Sequence, residues 1–183
     1  MAEALLVIDV QRGVIEGRRP VDAAAGKGIA ALLALFRGRG LPVVHVHHDA
    51  PDPAETVRRG QPGAEPLALA RPAAGEQVFW KRGSSGFSGT DLDTHLRGAG
   101  IDRLVVCGAV AAFCVASTVR AASDLGYGVL LPTDALYGFD LWNPQDGGMI
   151  DGAVAMQVTL AILGSDFARL TTVAELAALP GAG

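Results

Sequence analysis

The sequence predicts an α/β fold built on a mostly parallel six-stranded, doubly wound sheet covered on both faces. Three observations carry this. Near-continuous apolar runs rich in β-branched residues, such as 104–107, read as strands buried on both sides. These runs alternate with segments of helical period, as in chains of βα units. Half of the 183 residues are hydrophobic, enough for one full core, and the whole of 1–183 reads as a single domain.

Residues 4–9 open with an apolar strand that ends in Asp9, followed by a loop holding Gly13 and Gly17. An Asp at the carboxyl end of a parallel strand stands where open α/β sheets place ligands, although capping a turn is a common alternative job. A helix is expected over 21–37, ended by Gly38 and Gly40. The second strand covers 41–47. Residues 49–75 carry five prolines and form a long loop, of the kind that covers active sites or makes oligomer contacts. A short third strand follows at 76–80, and Lys81 comes directly after it. The Gly/Ser loop at 83–89 lacks the Gly-Lys-Ser/Thr ending of a phosphate-binding loop. Thr90 then reads as the cap of a helix over 91–97.

The fourth strand, 104–107, is broken by Gly108, and a helix runs over 113–125 with Cys114 in its first turn. Residues 126–134 supply a fifth strand with a polar end, and 137–148 is irregular. A helix over 149–163, a sixth strand at 167–170, a helix from Thr172 to Leu179 and a Gly-Ala-Gly tail complete the chain.

Composition excludes several classes of function. A net charge of −4 and a pI near 5.5 argue against nucleic-acid binding. No apolar run reaches a membrane span, and no secretory leader is evident, so a cytoplasmic location is expected. Cys107 and Cys114 lie on a strand and past a turn, where a disulfide is awkward; free thiols are expected. His45 and His47 share one face of a strand and His48 the other, so the three converge only if the chain bends. Packed histidines are the simpler reading. A metal near His48 and Asp49 stays an open alternative, and no metal or cofactor is assigned.

Asp9, Lys81 and Cys114 then stand at corresponding strand ends, which a doubly wound sheet can bring side by side. A thiol attacks as its thiolate, and a helix N-terminus together with a lysine ammonium would lower the thiol from ~8.5 toward roughly 3.5–7.5. Asp9 can take the thiol proton and return it to a leaving amine. Taken alone, Cys114 reads equally as a buried structural cysteine. Trp80, Phe87 and Trp142 are aromatic candidates for a pocket, and each is also a plain core candidate.

Asp9-Val10-Gln11, Lys81 with 85–92, and Gly108-Ala109-Val110 before Cys114-Val115 resemble the isochorismatase-like cysteine hydrolases, which include nicotinamidases, N-carbamoylsarcosine amidases and ureidoacrylate amidohydrolases. The resemblance implies a three-layer α/β/α sandwich, an Asp9–Lys81–Cys114 triad and a cis peptide at Ala109–Val110. It further implies an oxyanion hole from the N–H groups of Val110 and Cys114, and a substrate pocket around Gln11, Phe87, Ala109 and Trp142. A small amide substrate and a homodimer or homotetramer are what it implies for partners. Ala111, Val14 and the lack of His near Asp151 depart from the pattern and leave substrate choice open. Asp49-Ala50-Pro51 lacks the Asp-x-His metal motif of nicotinamidases. Isochorismate cleavage does not use the cysteine, so retention of Cys114 points to amide chemistry; an ester or vinyl-ether hydrolase and an inactive oligomer module are the alternatives.

Overall fold

In the computed structural model, which describes residues 2–179, six parallel strands form one sheet in the order β3-β2-β1-β4-β5-β8. The strands are β1 (Ala2–Ile8), β2 (Val43–His48), β3 (Gln77–Lys81), β4 (Ile101–Gly108), β5 (Gly128–Pro132) and β8 (Arg169–Thr171). Successive strands first move outward from β1 to β3, and the chain then returns to lay β4 against the other side of β1. That reversal makes the carboxyl ends of β1 and β4 the switch point, where open α/β sheets leave a crevice. The Gly-Ala-Gly tail lies outside the described residues.

Strand alternation divides the core into two layers. Leu6 and Ile8 of β1, with Leu104 and Val106 of β4, face α3 (Leu92–Gly98), α4 (Ala116–Asp124) and α5 (Gly152–Asp166). Leu5, Val7, Val105 and Cys107 face α2 (Ala25–Gly38) and α6 (Val173–Ala178) on the opposite side. The result is the expected α/β sandwich with helices on both faces.

Several boundaries differ from the sequence expectation. The stretch after Asp9 is not plain loop: it holds a one-turn helix, α1 (Arg12–Ile15). Helix α2 starts at Ala25 rather than residue 21, because Asp22 first turns the chain by accepting the Ala24 N–H. Asp91, not Thr90, holds the cap position of α3. The Thr90 hydroxyl accepts the Leu92 N–H and donates to the Gly86 carbonyl. The helix expected from 149 begins instead as a strand: β7 (Met149–Ile150) pairs antiparallel with β6 (Leu141–Trp142), and Asp151 then caps α5 by accepting the N–H groups of Ala153 and Val154. Thr172 and Glu175 form a reciprocal capping box on α6.

The long segment 49–75 is sewn down rather than free. Arg12 N–H donates to Glu65 O, Leu67 N–H to Val10 O, and Ala50 N–H to Val57 O. It therefore buttresses the residues that follow Asp9.

Candidate active site

The site is assembled at the switch point from three strand ends. Asp9 leaves β1 with φ of 48°, the left-handed region that Asp tolerates better than most residues. Gly108 ends β4 with φ of 123°, and a Cβ there would collide with the Ile8 carbonyl, so only glycine lets β4 run this close to β1. The Ala109–Val110 peptide is cis. Residues Ala111–Val115 then form a π turn, marked by the bond from the Val115 N–H to Val110 O, before α4 begins. Cys114 is thus the fourth residue of a widened turn, not a member of the first turn of a regular α-helix.

Lys81 is fully buried and closes the arrangement. Its Nζ donates to Asp9 Oδ2 at 2.7 Å, to Gly83 O at 3.2 Å and to Cys114 Sγ at 3.3 Å. An ammonium has three donors, and all three are used. The side chain reaches this point from β3 by crossing the end of β2, since β2 lies between β3 and β1. Asp9 is 2% exposed, and its Oδ1 is buried with no hydrogen-bond partner. Cys114 is half-buried and packs against the layer of α3, α4 and α5.

The electrostatics correct one expectation. Burial, and then the neighbouring Asp9 charge, push the Cys114 thiol up to about 12, against the pull of Lys81. Burial thus favours the neutral thiol and opposes the thiolate that the helix terminus and Lys81 favour. Burial also raises the Asp9 carboxyl above its ordinary value, with Lys81 opposing the shift. A carboxylate so destabilised is a better proton acceptor than an exposed one. Cys107 is sealed in the α2 layer, and burial raises its thiol as well.

The residues expected to line the pocket have the following surroundings. Gln11 is fully buried and serves as scaffold: its Nε2 donates to His48 O and Ala64 O, and its Oε1 accepts the His48 N–H. Ala109 is fully buried in the α2 layer. Phe87 stacks on Tyr127 at 5.8 Å and packs against the core. Trp142 sits on the β6–β7 hairpin with 62% of its surface exposed. Trp80 lies edge-on to His47 at 5.1 Å. Of the expected oxyanion donors, Val110 precedes the π turn and Cys114 is its fourth residue; among the described residues, Val110 N–H makes no backbone hydrogen bond.

The histidines do not converge. His45 Nε2 lies 2.8 Å from Glu76 Oε2, and His47 packs on Trp80, while His48 occupies the opposite face. Among the described residues, no three His, Cys, Asp or Glu side chains gather into a metal-sized cluster, and no helix is long and apolar enough to cross a membrane.

Sequence reading missed Thr118. Fully buried, it donates to Cys114 O at 2.7 Å and accepts the Gly86 N–H at 2.9 Å, so one hydroxyl joins the cysteine turn to the Gly/Ser loop. A threonine four residues after a candidate nucleophile is a local signal, but its partner across the loop is not.

Comparison with known proteins follows the same outline. Residues 3–157 match the Isochorismatase domain family. Streptothricin hydrolase of Streptomyces noursei is 38% identical over 141 residues, 76% of this chain and 51% of that one, so the match spans about half of the relative's length. N-carbamoylsarcosine amidase of an Arthrobacter species is 37% identical over 98 residues, 51% of this chain and 37% of that one. A solved isochorismatase-family hydrolase from Chromobacterium violaceum superposes with a TM-score of 0.91 at 34% identity, covering 97% of this chain and 92% of that one.

Proposed function

From a chain that belongs to the isochorismatase family and is a hydrolytic enzyme, we propose that it cleaves a small amide or ureido C–N bond through a thioester on Cys114. Cys114 Sγ attacks the carbonyl carbon as its proton passes to Asp9, so proton loss and bond formation are coupled. This suits a thiol whose free anion is disfavoured. Lys81 holds sulfur and carboxylate in register throughout. The oxyanion is received by the N–H groups of Val110 and Cys114. As the C–N bond breaks, the proton on Asp9 goes to the departing nitrogen, leaving ammonia or an amine. Water then attacks the thioester, gives a proton to Asp9 and releases the acid, and that proton returns to sulfur.

The observation that carries this reading is the buried Lys81 ammonium, within hydrogen-bonding distance of both a carboxylate and a sulfur. Sealing such a charge is costly, and a purely structural role does not call for the sulfur contact. The amidase name of one relative supports a nitrogen leaving group. Chemistry that needs a reduced thiol suits a reducing cytoplasm.

Pairing with a second copy is part of the same proposal, through α5. That helix carries no charged residue from Gly152 to Ser165 and leaves Val154, Val158 and Ile162 exposed at successive turns. An uncharged stripe can face its own copy across a two-fold axis without self-repulsion.

The test is an ammonia-release panel of carbamoyl amino acids, ureidoacrylate, nicotinamide and biuret, run with wild type and Cys114→Ala. Release by wild type, abolished in the variant and accompanied by an acyl adduct on Cys114 in the mass spectrum, is expected. Turnover that survives the variant would sink the reading.

A further inference from the structure

His48 is the one histidine of β2 that the packing does not account for. Its ring makes neither a hydrogen bond nor an aromatic contact with the described residues; its Nδ1 is buried without a partner, as are those of His45 and His47, but those two rings are held by other contacts. By contrast His45 is engaged by Glu76 and His47 by Trp80, both sealed on the α2 side. His48 alone is half-open.

Register fixes where it points. His48 pairs with Lys81 across β2 and β3, and directly paired residues of parallel strands project to the same face. Val44, Val46 and Phe79 of these strands pack in the same layer as Cys114, so His48 shares that face with Lys81 and the sulfur. The groups that bear on its charge are Lys81, Asp9, Asp49 and Glu55; burial and then Lys81 lower its pKa from the ordinary imidazole value, and the three carboxylates oppose them.

Its backbone is clamped as well. The Gln11 amide takes both the N–H and the carbonyl of His48, at 2.8 Å and 3.0 Å, and so extends the β1–β2 ladder past its last rung. Gln11 is two residues beyond Asp9, so this clamp holds His48 in fixed relation to the carboxylate. The sheet order gives the site two sides. Val110 stands at the end of β4, whereas Asp9 and His48 stand at the ends of β1 and β2. On the reading above, an oxyanion held on the β4 side leaves the β1–β2 side to the leaving group.

We infer that His48 is a specificity-determining residue whose neutral imidazole accepts a hydrogen bond from the N–H of the leaving group, selecting nitrogen over oxygen. The inference rests on the thioester reading above. A site built to pair with an N–H rejects the analogue that lacks it, because its acceptor is then left unpaired.

The experiment compares kcat/KM for the best amide of the panel and for the methyl ester of the same acid, in wild type, His48→Leu and His48→Asn. Leu and Asn are close in size, and only Asn keeps an acceptor. His48→Leu is expected to lower amide turnover roughly tenfold to a hundredfold and leave the ester unchanged, with His48→Asn recovering part of the amide loss. Equal losses on both substrates, or an unchanged amide-to-ester ratio in a protein that still works through Cys114, overturn this inference alone. A protein that cleaves neither substrate overturns both readings.

Discussion

Two regions of this molecule reverse the usual sorting of residues between core and solvent. At the ends of β1 and β3, Asp9 and Lys81 are sealed from water. Along α5, Val154, Val158 and Ile162 stand half in solvent, and Trp142 and Met149 of the neighbouring hairpin are more exposed still. The first region lowers stability locally, since neither charge regains its hydration in full, and Asp9 Oδ1 makes no geometrically sound hydrogen bond among the described residues. The second leaves hydrocarbon unburied, which a lone chain has no reason to do over three helical turns. Buried charge thus marks the proposed chemistry, and exposed hydrocarbon marks the face proposed to meet a second copy.

The comparison is broken most completely at the sulfur. Cys114→Ser should lower hydrolysis by about a thousandfold or more, because a hydroxyl is a far weaker nucleophile in a site shaped for sulfur. Circular dichroism should show the fold unchanged, and residual turnover near wild type would remove sulfur from the mechanism.

Next comes the charged pair. Lys81→Met strands the Asp9 carboxylate and should destabilise the fold by about 3–5 kcal/mol in urea titrations, with activity lost. Adding Asp9→Asn removes the stranded charge, so stability should return while activity does not. A double variant no more stable than the single would show that the pair is not what the region depends on.

On the apolar side, Val158→Glu tests the proposed pairing by placing a charge in the middle of the α5 stripe. Light scattering should report a halved mass at micromolar concentration, and the melting temperature should lose its dependence on protein concentration. An unchanged mass would move the interface elsewhere.

Smaller effects sharpen the boundary between the regions. Thr118→Val leaves the Gly86 N–H unpaired and should cost about 1–3 kcal/mol of stability. Activity should fall roughly tenfold through kcat, since the altered link positions the cysteine turn rather than substrate. Thr118→Ser should restore most of both.

The last test is pH. Asp9 must be ionised to take the thiol proton, and burial lifts its carboxyl above 3.8, so the acid limb of kcat/KM should lie above that value. The stability effect has the opposite sense. A carboxyl with a raised folded pKa binds its proton more tightly when folded. Its contribution is therefore fullest below the unfolded value and fades as pH rises through the folded one. Asp9→Asn should remove that slope, and an acid limb at or below 3.8 would contradict the assignment of Asp9 as base.

How far the sequence alone reached depended on the range of each interaction. Alternating apolar strands and helices, the breaks at Gly108 and Gly40, and the capping role of Thr172 are local matters of backbone preference and side-chain period, and they were legible. So was the placing of Asp9, Lys81 and Cys114 near strand ends, which are visible in a linear pattern, although Lys81 is the last residue of β3 and not the one after it. The surroundings of Gln11 and Thr118 were not legible, since each is decided by partners 37 and 32 residues away. Nor was the desolvation of Cys114: an N-terminal turn and a lysine argue for a thiolate, while burial opposes it, and burial is a sum over everything packed around the sulfur. The order of residue types along the chain therefore determined which groups were available for chemistry. Only the folded packing decided their protonation, their neighbours and which apolar face was left over, because burial belongs to the assembled molecule and not to any segment of it.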